Sequence, residues 1–141
     1  MMFILDTNVV SELRKAKAGK ADANVVVWAS DQDPSALFLS AITLLELEMG
    51  IRQTERRDIA QGAVLRAWMT DRVLSVFEGR ILPVDGPVAL CCAALHVPDP
   101  RSDRDALIAA TGIVHAMPIV TRNVADFAPT GVQIINPWDI V

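Results

Sequence analysis

The feature that most constrains this chain is its opening, Met2-Phe3-Ile4-Leu5-Asp6-Thr7-Asn8, an apolar run that stops abruptly in an acid, a hydroxyl and an amide. Short apolar runs bounded by polar turn residues read as buried strands, and a strand buried on both faces belongs inside a parallel sheet. Such a strand has no reason to end in a carboxylate unless its carboxyl end opens onto a wet crevice. In open α/β sheets that end is where ligands bind. Asp6 is therefore placed for chemistry, and the rest of the chain must be searched for groups that can meet it.

The remainder alternates between short apolar runs and helical patterns. Val9, Val10 and Leu13 recur at helical spacing up to Arg14–Lys17, and Ala23–Ala29 forms a second helical segment closed by Asp31, Asp33 and Pro34. Ala36-Leu37-Phe38-Leu39 is the second strand, and Ser40 to Thr43 turns into a helix carrying Leu44, Leu45, Leu47, Met49 and Ile51. A long helical pattern runs from Asp58 to Glu78, followed by a short strand at Ile81-Leu82. Pro87 opens a helix through Val97, and Ser102-Asp103-Arg104-Asp105 opens another through Val114. Pro118-Ile119-Val120 and Val132–Ile135 complete the strands. Strands alternating with helices, with no internal repeat or linker, predict one α/β domain over residues 1–141 with a mainly parallel sheet of about five strands.

Composition narrows the function. With 13 basic and 17 acidic residues the net charge is −4, against a general nucleic-acid coat but compatible with an enzyme that meets nucleic acid through a local patch and a metal. No apolar run approaches the roughly 18 residues of a membrane span. No basic segment followed by an apolar one opens the chain, so a cytoplasmic protein is expected. Cys91 and Cys92 are adjacent in a helical pattern with no other cysteine, which predicts small core residues in a reducing compartment. P-loop, dinucleotide-binding glycine, zinc-hydrolase and nucleophile-elbow motifs are absent.

Four acids follow predicted strand ends or open the helices beyond them: Asp6, Glu46, Asp105 and Asp126. Parallel strands present their carboxyl ends along one edge, so these acids can converge. Two carboxylates about 4 Å apart repel by about 4 kcal/mol at an effective dielectric of 20. A hard divalent cation, Mg²⁺ or Mn²⁺, offsets that repulsion and prefers oxygen ligands. Zinc is disfavoured because His96 and His115 form no ligand array with the cysteines. The alternative for the acids is helix capping: Thr43-Leu44-Leu45-Glu46 and Ser102-Asp103-Arg104-Asp105 fit the capping signature, and Asn123-Val124-Ala125-Asp126 is close to it.

Leu5-Asp6-Thr7-Asn8, the run from Ser40 to Leu47, Asp105-Ala106-Leu107-Ile108-Ala109-Ala110-Thr111 and the run from Thr121 to Phe127 resemble, in order, the motifs of PIN-domain nucleases. They are more narrowly similar to VapC-type toxins of bacterial toxin–antitoxin pairs, including the FitB-like branch, whose ending Asn136-Pro137-Trp138 resembles. The resemblance implies a three-layer α/β/α PIN-like domain and an Mg²⁺- or Mn²⁺-dependent endoribonuclease that leaves 5′-phosphate and 3′-hydroxyl ends. Asp6, Glu46, Asp105 and Asp126 match the family's acidic quartet, as ligands to the metal and the catalytic acids. Asp103 is an extra acid two positions earlier; Asp105 is preferred because Ala106-Leu107-Ile108-Ala109-Ala110 follows it directly, with Asp103 the fallback. Thr7, Asn8, Ser40 and Thr43 match the residues around the first two acids, and Thr121, Arg122 and Asn123 those before the last. Thr7 and Thr121 are candidates to orient a carboxylate or contact phosphate, and Arg122 to bind the scissile phosphate or to serve as a surface or capping residue. The resemblance further implies a homodimer, neutralised by a cognate VapB-like antitoxin and reaching operator DNA only through it, with RNA as substrate. The helix Ala60–Val76 with Trp68 would suit such a partner, and core packing is the simpler account of Trp28, Trp68 and Trp138. Two other readings remain: a receiver-like phosphoacceptor, which wants paired acids near the first strand and a late lysine, and a catalytically silent PIN-fold binding module acting with its antitoxin at operator DNA.

Overall fold

Every strand of the sheet runs the same way. In the computed structural model, which describes residues 1–140, five parallel strands are ordered β3-β2-β1-β4-β5. They are β1 (Phe3–Leu5), β2 (Leu37–Ser40), β3 (Ile81–Leu82), β4 (Ile119–Val120) and β5 (Ile134–Ile135). Between them lie α1 (Thr7–Arg14), α2 (Ala23–Ser30), α3 (Ala41–Arg57), α4 (Ile59–Trp68), α5 (Gly86–Leu95), α6 (Asp103–His115) and α7 (Val124–Phe127).

The opening strand is central, as its apolar run predicts. Phe3 and Ile4 pair with Leu37 and Phe38 on one side, and Ile4 and Leu5 pair with Ile119 and Val120 on the other. The period of two sends its side chains to opposite faces. Phe3 and Leu5 join Leu37, Leu39, Val9, Val25, Trp28 and Ile51 in one core. Ile4 joins Ile42, Ile108, Ile119 and Phe127 in the core on the opposite face. A sheet between two helix-covered cores gives the expected three-layer α/β/α architecture. The order of connection reverses at β1, since the chain moves outward through β2 and β3 and then returns to β4 on the far side. That reversal leaves a crevice beyond the carboxyl ends of β1 and β4.

Three local features differ from the sequence expectation. The helical pattern ending at Glu78 is α-helical only to Trp68 and then takes a π-helical turn over Met69–Leu74, which brings both Met69 and Val73 into the first core at 3% and 1% exposure. The last strand begins at Ile134 rather than Val132, because a turn at Gly131 (φ 79°) directs Val132 into the second core. The helix after β2 starts at Ala41, capped by Ser40, whose Oγ accepts the Ile42 N–H at 3.0 Å. Thr43 is therefore inside α3, and Glu46 lies in its second turn.

The tryptophans pack. Trp28 is buried edge-on to Phe3, with ring centroids 5.2 Å apart, while Trp68 and Trp138 are half-buried against the first core. Cys92 is buried and Cys91 half-buried, both as free thiols, beside α6. No helix among the described residues is long and apolar enough to cross a membrane.

Candidate active site

Asp6 stands at the sheet's reversal point and is 4% exposed. It is the N-cap of α1: its Oδ1 accepts the Thr7 N–H at 2.8 Å. Its Oδ2 accepts the Thr121 hydroxyl at 2.8 Å, across the gap from the end of β4, and an Asn8 amide N–H at 3.1 Å. Thr121 follows β4 as Asp6 follows β1, so pairing these two strands brings positions 115 residues apart into contact. Thr121 Oγ1 in turn accepts from Asn8 Nδ2 at 3.2 Å and from the Asn123 N–H at 3.0 Å. Asn8 Oδ1 accepts the Arg122 N–H at 3.2 Å. Asn8, Thr121, Arg122 and Asn123 thus form a frame that fixes one carboxylate.

Thr7 links that frame to α3. Its hydroxyl donates to Glu46 Oε1 at 2.6 Å and lies 3.2 Å from the hydroxyl of the fully buried Thr43. One residue therefore holds two acids, Asp6 through its backbone N–H and Glu46 through its side chain. Asp105 is half-buried in the first turn of α6, and Asp126 is exposed in the first turn of α7.

The acids feel one another. Burial pushes the Asp6 carboxyl up to about 6; the Thr121 and Thr7 hydrogen bonds oppose the rise, and the nearby charges of Asp105 and Glu46 add to it. Asp105 is also raised, by burial first and then by the charges of Asp126 and Glu46, with Arg104 opposing. Among the described residues no three His, Cys, Asp or Glu side chains are close enough together to form a ready-made chelating set. The quartet is close enough for mutual repulsion and too open for tight chelation. Mg²⁺ usually keeps several waters and takes only one or two carboxylates directly. The all-oxygen donor set fits the same class of ion.

Asp6 caps α1, but capping does not account for Glu46, Asp105 and Asp126. Ser40 caps α3, so Glu46 has no helix end to satisfy. Ser102 and Asn123 stand at the N-caps of α6 and α7, and among the described residues no side-chain capping bond closes either helix. Of the Asp103–Asp105 pair, Asp103 turns away: its side chain is 90% exposed and lies 3.3 Å from His96 Nε2. Ser40 serves the backbone of α3. Arg122 joins the frame only through its main chain, while its guanidinium lies over the Trp138 ring, 5.2 Å from the centroid.

Sequence reasoning passed over two things. Arg104, between the two aspartates, reaches Glu46 with its guanidinium 3.7 Å from Oε2. Its position at the start of an acid-opened helix was the available signal. Beside the acids lies a cavity of about 330 Å³ between α1, α3 and α4, lined by Thr7, Glu46, Arg14, Gln53, Arg57 and Trp68 among others. Arg14 packs over Trp68 at 5.9 Å and separates this polar space from a more apolar hollow of about 260 Å³ that includes Val10, Leu13, Val73 and Phe77.

Comparison with known proteins agrees with this arrangement. The PIN domain family profile matches residues 3–129. The chain is 36% identical to the VapC ribonuclease Y4jK of Sinorhizobium fredii over 146 aligned residues, covering 98% of this chain and 99% of that protein. It is 32% identical to Toxin FitB of Neisseria gonorrhoeae, covering 97% and 99%. The structure of FitAB bound to the IR36 DNA fragment superposes with a TM-score of 0.87 at 32% identity, covering 99% of this chain and 98% of that one. The profile covers the positions of β1 to β4 and of all four acids, and the chain belongs to the PIN-domain family.

Proposed function

We propose that this protein is the toxin of a VapBC-type pair, an Mg²⁺- or Mn²⁺-dependent endoribonuclease neutralised by a cognate antitoxin. The observation that carries the reading is a buried Asp6 at the sheet's reversal point, held by three donors, its carboxyl pushed up first by burial and then by the nearby charges of Asp105 and Glu46. Burial combined with like charge marks candidate functional sites, and a cation among these acids would relieve their repulsion.

Asp6, Glu46, Asp105 and Asp126 would hold the ion. Once bound, it supplies an activated water and neutralises the charge that builds on the phosphorus and leaving oxygens. The protein's own part is positioning. Thr121 and Asn8 fix the direction of the Asp6 carboxylate, and Thr7 keeps Glu46 facing it. With a pKa of about 6, Asp6 is largely ionised at neutral pH and ready to act as a ligand. The cavity lined by Arg14 and Arg57 gives an RNA backbone a route to the acids along which basic groups meet phosphate. Likeness to Toxin FitB and to FitAB bound to a DNA fragment supports an antitoxin as partner, with DNA reached through the complex; a homodimer is the proposed working state.

The test is cleavage of total RNA by purified protein with and without Mn²⁺. Wild type is expected to cut only with the metal, and Asp6→Asn to lose at least 100-fold in rate while keeping a wild-type circular dichroism spectrum. Metal-independent cutting, or a variant as active as wild type, rules the reading out. A protein that binds antitoxin yet cleaves nothing in Mn²⁺ is the silent binding module instead. The receiver-like alternative has no observation in its favour: Asp6 is met by acids from α3 and α6, and no lysine follows Lys20.

A further inference from the structure

Four acids meet at this site, and among the described residues one basic side chain lies within 4 Å of any of them, Arg104. Its contact is loose. The guanidinium is 3.7 Å from Glu46 Oε2, beyond hydrogen-bond reach, and its other polar neighbour is the Met49 thioether sulfur at 3.9 Å. The side chain is 48% exposed, so it hangs at the mouth with its five N–H donors essentially unused. Arg66 and Arg101 are anchored much more firmly. Arg66 reaches Glu48 at 2.6 and 3.0 Å and Glu55 at 3.0 Å, and Arg101 donates to the Leu95 carbonyl at 2.7 Å.

A cation parked beside a carboxylate without hydrogen bonds is readily displaced, and a divalent ion arriving among the acids would repel it. A freed guanidinium at the rim has the fork geometry that matches phosphate. We infer that Arg104 is an exchangeable counter-ion: it shields Glu46 while the acids hold no metal, and on metal entry it swings outward to grip a phosphate of the RNA backbone. This rests on the nuclease reading above and assigns Arg104 as a substrate-binding residue within it. Its side chain starts in the first turn of α6, beside Asp105, so a short rotation about its own stem separates the two positions.

The two halves of the exchange move two affinities in opposite directions, which a merely structural residue would not do. Mn²⁺ binding to the RNA-free protein, followed by calorimetry, is expected to become two- to fivefold tighter in Arg104→Met, in line with removal of an exposed competing ion pair. Binding of a short single-stranded RNA in Ca²⁺, used to suppress cleavage, is expected to weaken roughly tenfold in the same variant, as for a lost hydrogen bond to a charged group. Arg104→Lys, which keeps the charge, should stay near wild type in the first measurement and fall between the two proteins in the second, because lysine lacks the fork. An Arg104→Met protein whose Mn²⁺ affinity or RNA affinity matches wild type overturns the exchange while leaving the nuclease reading intact. A wild-type protein that takes up no Mn²⁺ overturns both.

Discussion

Asp6 carries the site, and its protonation should be visible in the stability of the whole fold. An unfolded aspartate ionises near 3.8, whereas burial holds the folded carboxyl protonated up to about 6. Between these values the folded state binds more protons than the unfolded state, so this group makes stability fall as pH rises through the window and level off above it. Below 3.8 both states are protonated and the group contributes nothing. A difference of this size corresponds to roughly 3 kcal/mol once both states are ionised. Glu48 and Glu55 act in the opposite direction, since hydrogen bonds from Arg66 lower their pKa values, but both are partly exposed and their effect is screened. Subtracting a variant isolates the aspartate. Urea midpoints measured from pH 4 to 7 should show wild type losing stability relative to Asp6→Asn as pH rises, with the difference constant above about 6.5. Parallel curves for the two proteins would mean that Asp6 is not buried as described.

At the scale of elements, the position of Glu46 depends on how α3 is held, and α4 folds back against it. The two helices meet at Gly62, where an added Cβ would lie 2.6 Å from Glu55 Cα and 3.0 Å from its backbone nitrogen. Both of these atoms are backbone and cannot step aside. Gly62→Ala should therefore push the helices apart and destabilise by about 1–3 kcal/mol, the usual range for overpacking. Gly50, in the interior of α3, has nothing within 4 Å of an added Cβ. Gly50→Ala should stabilise by about 0.5–1 kcal/mol, since alanine loses less entropy in a helix. Thermal denaturation of the two variants should thus move in opposite directions from wild type. A Gly62→Ala protein that melts with wild type would show that the helix pair does not rely on this close approach. The Arg66 bridge to Glu48 and Glu55 spans the same helix pair and helps set its geometry, although its exposure limits what it adds.

For the whole molecule, metal and fold should be linked. The acids come from four separate segments after β1, after β2 and at the starts of α6 and α7, so an ion that bridges any of them ties those segments together. An ion that binds only the folded state at ten times its Kd adds about 1.4 kcal/mol. Millimolar Mg²⁺ or Mn²⁺ should raise the melting temperature of wild type by a few degrees and that of Asp6→Asn by much less. An equal rise in both proteins would place the binding elsewhere.

Much of this was legible in the chain itself. Apolar runs ending in polar turns marked the five strands, helical spacing marked the segments between them, and the order of motifs around Asp6, Glu46, Asp105 and Asp126 pointed to the family. These are local signals, carried by period and by neighbouring residues. The sequence left open whether Glu46, Asp105 and Asp126 were caps, which of Asp103 and Asp105 turns inward, and what Arg122 and Arg104 do. Each of those answers depends on distances between segments. Thr121 reaches Asp6 only because β4 pairs with β1, Thr7 reaches Glu46 only because α3 leaves the sheet beside α1, and Arg104 meets Glu46 only where α6 crosses α3. Residue order sets the period of each element; the pairing of strands and the crossing of helices decide which side chains share a space.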